Sequence, residues 1–84
     1  MRTVWMGWAL CRRGVIRYEL LSEHQSGRCA YGVRVCFRNQ RSELRALTVS
    51  RQKALLLLRA MRRGRVTPVT APDVAEDWIA AGNA

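Results

Sequence analysis

Lysine is almost missing from a chain otherwise rich in cations: of its fifteen Lys and Arg residues fourteen are arginine, and Lys53 stands alone. Histidine occurs once, as His24, and cysteine three times, as Cys11, Cys29 and Cys36. Each scarcity excludes something. An odd cysteine count in so small a protein argues against a secreted disulfide framework and for a reducing, cytoplasmic setting. The four candidate metal ligands lack the C-x2-C pairing of structural zinc, and Cys29 and Cys36 fall on opposite faces of one strand, so no metal site is expected. No G-x-x-x-x-G-K or G-x-G-x-x-G phosphate loop occurs. The single histidine lies in a hairpin loop, away from any nucleophile, and Asp73, Glu76 and Asp77 read as a solvated first helical turn rather than as paired catalytic carboxylates. No enzyme, catalytic residue or cofactor is therefore expected. The apolar run at residues 4–11 is too short for a membrane span, lacks a cleavage site and meets Arg12-Arg13 at once, so neither a signal peptide nor a membrane partner is expected.

What is present is charge, unevenly placed. All the cations lie in residues 1–65 with three acids, a net +12, whereas residues 66–84 carry three acids and no cation, −3. A basic body with an acidic C-terminal segment suits polyanions, or partial self-screening. The arginine bias fits a recognition surface, because the planar guanidinium matches phosphate and carboxylate, and it equally fits GC-rich coding.

The densest part of the chain is the stretch 50–64. Ala54, Leu57, Leu58 and Met61 share one helical face at i, i+3, i+4, i+7, and Arg51, Arg59, Arg62 and Arg63 gather on another with Leu55 among them. Ser50 suits the N-cap and Gly64 the C′ position. Upstream, Val15–Glu23 alternates with Ile16, Tyr18 and Leu20 on one side and Arg17 and Glu19 on the other. Cys29–Arg38 alternates more cleanly, with Tyr31, Val33, Val35 and Phe37 opposed to Gly32, Arg34, Cys36 and Arg38. Leu44–Val49 makes a third strand. Gly32 reads as a strand glycine approached closely by another backbone or side chain. Residues 65–70 are expected to be extended around Pro68, and a short helix follows with Val74, Ala75, Trp78 and Ile79 inward.

A single α+β domain over residues 1–84 results: a three-stranded antiparallel meander at 15–49, a basic amphipathic helix at 50–63 and a short acidic helix at 71–81. Residues 1–13 are either a fourth, N-terminal edge strand, with Val4, Met6, Trp8 and Leu10 on one side, or a loosely ordered extension.

This order of elements resembles the domain of unknown function 6514 family, from about Tyr18 to Ile79. The likeness rests on Tyr18-x-Leu20, Tyr31-Gly32-Val33-x-Val35, Leu47-Thr48-Val49-Ser50, Leu57-Leu58, Val66-Thr67-Pro68 and Asp73-Val74-x-x-Asp77-Trp78-Ile79. The resemblance implies a small cytosolic protein of Gram-positive anaerobes or their phages, with no catalytic residue to carry over. The basic helix face and the tryptophan-bearing N-terminus lie outside the matched pattern.

The sequence thus points to a non-enzymatic binding protein. Arg51, Leu55, Arg59, Arg62, Arg63 and Arg65, with Arg34 and Arg38 on the polar strand face, are the candidate partner- or phosphate-binding residues. Contact with a protein that offers an acidic groove is the leading expectation, with Leu55 as apolar anchor, and it suits a phage-type inhibitor or adaptor of a nucleic-acid-processing partner. Direct nucleic-acid binding through arginine–phosphate contacts is the alternative. If the helix covers the apolar sheet face, the charge is expected on two sides rather than in one groove, and only Trp5 and Trp8 look free to stack.

Overall fold

The computed structural model describes the backbone of residues 1–84 and every side chain except that of Gln25. Four strands, β1 (Arg2–Cys11), β2 (Gly14–Gln25), β3 (Arg28–Phe37) and β4 (Gln40–Thr48), form one antiparallel sheet in the order β1-β2-β3-β4. Two helices follow, α1 (Arg51–Arg63) and α2 (Ala71–Ala80). The N-terminal segment is therefore a full strand, and the sheet has four strands rather than three.

Strand alternation decides the layers. Ile16, Tyr18 and Leu20 on β2 stand beside Val33 and Val35 on β3, and all five are buried with Ala54, Leu57, Leu58 and Met61 of α1. The helical spacing thus puts its apolar face where the sheet needs a cover. Ser50 Oγ accepts from the Lys53 N–H at 3.2 Å and caps the helix as expected. Gly32 is buried because the β4 backbone passes directly over it, and a Cβ there would collide with the Leu44 carbonyl oxygen and the Arg45 Cα.

Four details differ from the sequence reading. First, β1 keeps Met6, Trp8 and Leu10 on one side, the open face of the sheet, in register with Glu19, Arg17 and Val15, but Val4, at the irregularity between Thr3 and Trp5, packs against the core instead. Trp5, Gly7 and Ala9 take the covered face, because only small residues and one ring folded over Gly7 fit where β1 passes close to α1. Second, β4 begins at Gln40, since cross-strand pairing rather than apolar alternation holds its first half. Third, residues 67–70 turn instead of extending, with the N–H groups of Thr70 and Ala71 both on the Thr67 carbonyl. Fourth, α2 buries Ala71 and Ala75 and half-buries Val74 and Trp78, while Ile79 is exposed.

Candidate functional site

The meander brings the β1–β2 and β3–β4 turns to the same end of the sheet. α1 starts beyond β4 at the opposite end and finishes at this one. Arg12 and Arg13 form the first turn, Arg38 begins the second, and Arg17 and Arg41 flank Cys36 just inside it. The last turns of α1 and its exit add Arg59, Arg62, Arg63 and Arg65. Nine of the fifteen cations thus share one end, while Glu19 and Glu43 sit at mid-sheet opposite Arg34 and Glu23 lies toward the far end. Twelve residues of β2 extend about 40 Å, consistent with the 41 Å long axis of the molecule. Charge at the two ends is separated by several Debye lengths of ~8–10 Å.

Not every arginine is held in the same way. On the open sheet face Arg34 bridges two carboxylates, donating to Glu19 at 2.7 Å and to Glu43 at 3.0 Å. Arg17 takes the other oxygen of Glu19 at 2.8 Å, and Arg45 pairs with Glu23 at 2.7 Å. The Arg45 guanidinium holds the Glu23 carboxyl below its usual range. Glu19 is only 4 % exposed and also accepts from the Thr3 hydroxyl. These arginines are charge-compensated.

Arg17 apart, neutral backbone carbonyls do the holding at the basic end. Arg62 Nε donates to the Trp8 carbonyl and Arg65 Nε to the Leu10 carbonyl, each at 2.8 Å. Carbonyls two apart on a strand point the same way, and β1 has no further strand on its outer side. The two arginines therefore close a sheet edge that would otherwise invite pairing. Arg38 donates to the Arg13 carbonyl through Nε and Nη2, and its guanidinium lies 5.6 Å from the Phe37 ring centroid. None of the three has a carboxylate partner among the described residues. Each is oriented, keeps its full charge, and retains N–H donors.

Arg65 carries one further mark. The end of α1 is closed by bonds from the Arg65 N–H to the Arg62 carbonyl and from the Val66 N–H to the Met61 carbonyl, with Gly64 in the right-handed region and Arg65 at φ 52°. The left-handed C′ position is thus occupied by arginine, one residue later than the sequence suggested. The corresponding position after α2 is Gly82, at φ 82°. A left-handed non-glycine costs of order 1 kcal/mol, and such strain concentrates at functional positions. Here it aims the guanidinium at β1. Tyr18 secures the exit behind it by donating to the Val66 carbonyl at 2.8 Å, and burial pushes its hydroxyl up to about 12.

Between α1 and the β1 edge these side chains enclose a cleft of about 400 Å³, lined by Ala9, Leu10, Arg59, Arg62, Arg63 and Arg65. The structure therefore unites four of the candidate residues. It separates the others. Arg51 stands at the start of α1, two helical turns away, and Arg34 is neutralised between two carboxylates. Arg38 belongs to the same end but reaches it over the open face. Leu55 is half-buried against the core, because its angle on the helix turns it toward the sheet. The exposed leucine of α1 is Leu56, at 57 %, in a groove with Trp78 between the helices. As expected, the charge falls on two sides of the sheet: Arg34 and Arg38 are on the open face, while the arginines of α1 and its exit gather at the β1 edge beside the helix.

Sequence reasoning missed the β1 carbonyls that orient Arg62 and Arg65; residue types carry no signal of that kind. The three cysteines are unpaired, Cys29 Sγ lies 3.3 Å from His24 Nδ1, and no metal-binding cluster occurs among the described residues. Nor, among these residues, is any helix long and apolar enough to cross a membrane. The model of a family of unknown function, DUF6514, matches residues 9–81, which include the arginine cleft and stop one residue short of Trp8. No curated protein and no solved structure matches the chain.

Proposed function

The chain belongs to the DUF6514 family, whose function is unknown, and from that premise we propose that it is a non-enzymatic nucleic-acid-binding protein whose arginine cleft takes phosphates. The observation that carries this reading is the way Arg62 and Arg65 are held, by carbonyls instead of carboxylates, beside Arg59 and Arg63 in one cleft. A guanidinium fixed through Nε presents its Nη donors as a ready phosphate fork. Pre-orientation lowers the entropy lost on binding, and the absence of a carboxylate removes a competitor for the phosphate. The expected setting is the cytoplasm.

Arg65→Gly tests this cleanly, because it removes a guanidinium and relieves the left-handed backbone together. Stability should hold or rise by up to ~1 kcal/mol. Affinity for a fluorescent oligonucleotide should drop, with the log–log salt slope lower by ~1. Unchanged affinity and slope would overturn the reading, as would equally tight binding of polyglutamate.

One observation favours a second reading, contact with a protein as an inhibitor or adaptor. Leu56 is exposed in the α1–α2 groove with Trp78, and it can anchor a partner there in place of Leu55. A captured protein partner lost on Leu56→Ala and indifferent to Arg65→Gly would bring that reading to the front.

A further inference from the structure

Trp8 lies on the open face of the sheet and is 52 % exposed, in a row with Met6, Leu10 and Val15, which are exposed as well. Soluble domains usually cover such a row. Here it is flanked by arginines, of which Arg38 and Arg41 have no carboxylate partner among the described residues: a hollow of about 260 Å³ is lined by Trp8, Val15, Arg17, Cys36, Phe37 and Arg38, and a second one beside it adds Arg41. Through its backbone Trp8 also touches the arginine cleft, since its carbonyl is the acceptor that orients Arg62. One residue therefore joins an exposed aromatic face to a pre-oriented cation.

We propose that Trp8 is a base-stacking platform and that the preferred ligand is single-stranded nucleic acid, with an unpaired base on the Trp8 ring and neighbouring phosphates on Arg62 and Arg65. The inference rests on the phosphate reading of the cleft and adds strandedness to it. An indole offers its π-face to any base, while the arginines beside it follow the backbone. A duplex keeps its bases stacked on one another, so it can use the arginines but not the ring. Charge complementarity selects this occupant over an uncharged apolar partner, because arginines with no carboxylate partner among the described residues border the apolar row on both sides, Arg62 and Arg65 at the β1 edge and Arg38 across the sheet.

The test compares wild type, Trp8→Ala and Trp8→Phe in anisotropy titrations with a labelled single-stranded oligothymidine, its oligouridine counterpart, an abasic strand of equal length and a duplex. Far-ultraviolet circular dichroism monitors the fold. Wild type should bind the single strands more tightly than the duplex or the abasic strand. Trp8→Ala should lose about 5-fold to about 150-fold on the single strands and little on the other two, at an unchanged salt slope. Trp8→Phe should recover part of that loss. The DNA and RNA arms show which backbone is preferred, and a Trp8-dependent gain with either supports the proposal. Salt-sensitive binding indifferent to Trp8 would overturn stacking and leave the phosphate reading standing. Absence of salt-sensitive binding would sink both. Trp8-dependent binding to anionic lipid vesicles, without any to oligonucleotides, would assign the row to a membrane surface instead.

Discussion

The arginines of the open sheet face and those of the β1–α1 edge are the same residue type in the same small domain, and they do opposite work. Arg34 and Arg17 lie on buried Glu19, with Glu43 completing the set, so two cations meet two carboxylates and the group is neutral. Arg62 and Arg65 lie on the carbonyls of Trp8 and Leu10, so their orientation is fixed and their charge is left intact. Composition predicts the total charge. The acceptor each guanidinium finds decides whether that charge is neutralised within the sheet or left open at the surface.

The sharpest way to separate the two groups is to break the first. Glu19→Ala removes the shared carboxylate and leaves Arg34, whose side chain is 19 % exposed, beside Glu43 alone. Losing charge-assisted hydrogen bonds to a buried carboxylate, with Arg34 still paired to Glu43 and Arg17 half exposed, costs ~1.5–3 kcal/mol, a sizeable part of the stability of a domain this size. A large drop in the denaturation midpoint is expected, with oligonucleotide affinity retained by the fraction that remains folded. A midpoint unchanged by Glu19→Ala would show that the network does not support the sheet.

Tyr18 provides a smaller test, because its hydroxyl pins the α1 exit that carries Arg65. Its pKa is about 12 in the folded protein against the ordinary 10. The unfolded chain therefore loses its proton first. The stabilisation is complete below about pH 10 and declines as pH rises from there toward about 12. Tyr18→Phe should lower stability at neutral pH by ~1–2 kcal/mol, since the Val66 carbonyl loses its donor, and should flatten the alkaline part of the denaturation profile. An identical alkaline slope in wild type and variant would contradict this assignment.

Much of the fold was legible in the sequence because burial leaves a periodic trace. Ala54, Leu57, Leu58 and Met61 were placed on the buried face of α1, and Tyr31, Val33, Val35 and Phe37 on the covered side of the sheet, by spacing alone. β1 and the first half of β4 left a weaker trace. Edge strands have one exposed face and need no strict alternation, and β1 inverts the usual pattern by placing Trp8 and Leu10 outward. The arginines of α1 were visible as candidates, but their grouping was not. Arg34 and Arg62 differ only in what lies across from them in space. For Arg34 that is a carboxylate on the preceding strand, 15 residues earlier, and for Arg62 a carbonyl 54 residues earlier. The left-handed Arg65 was masked by Gly64, which offered a more obvious place for the turn.

The central claim is that the acceptor, rather than the charge, decides which arginines bind. Arg62→Gln and Arg45→Gln change the net charge equally, yet Arg62 is held by a carbonyl and Arg45 by Glu23. Titrating wild type and both variants with the same single-stranded oligonucleotide over a series of salt concentrations compares them directly. Arg62→Gln should lower the log–log salt slope by ~1, whereas Arg45→Gln should leave it at the wild-type value. Equal effects of the two substitutions would contradict the account, because binding would then follow net charge alone.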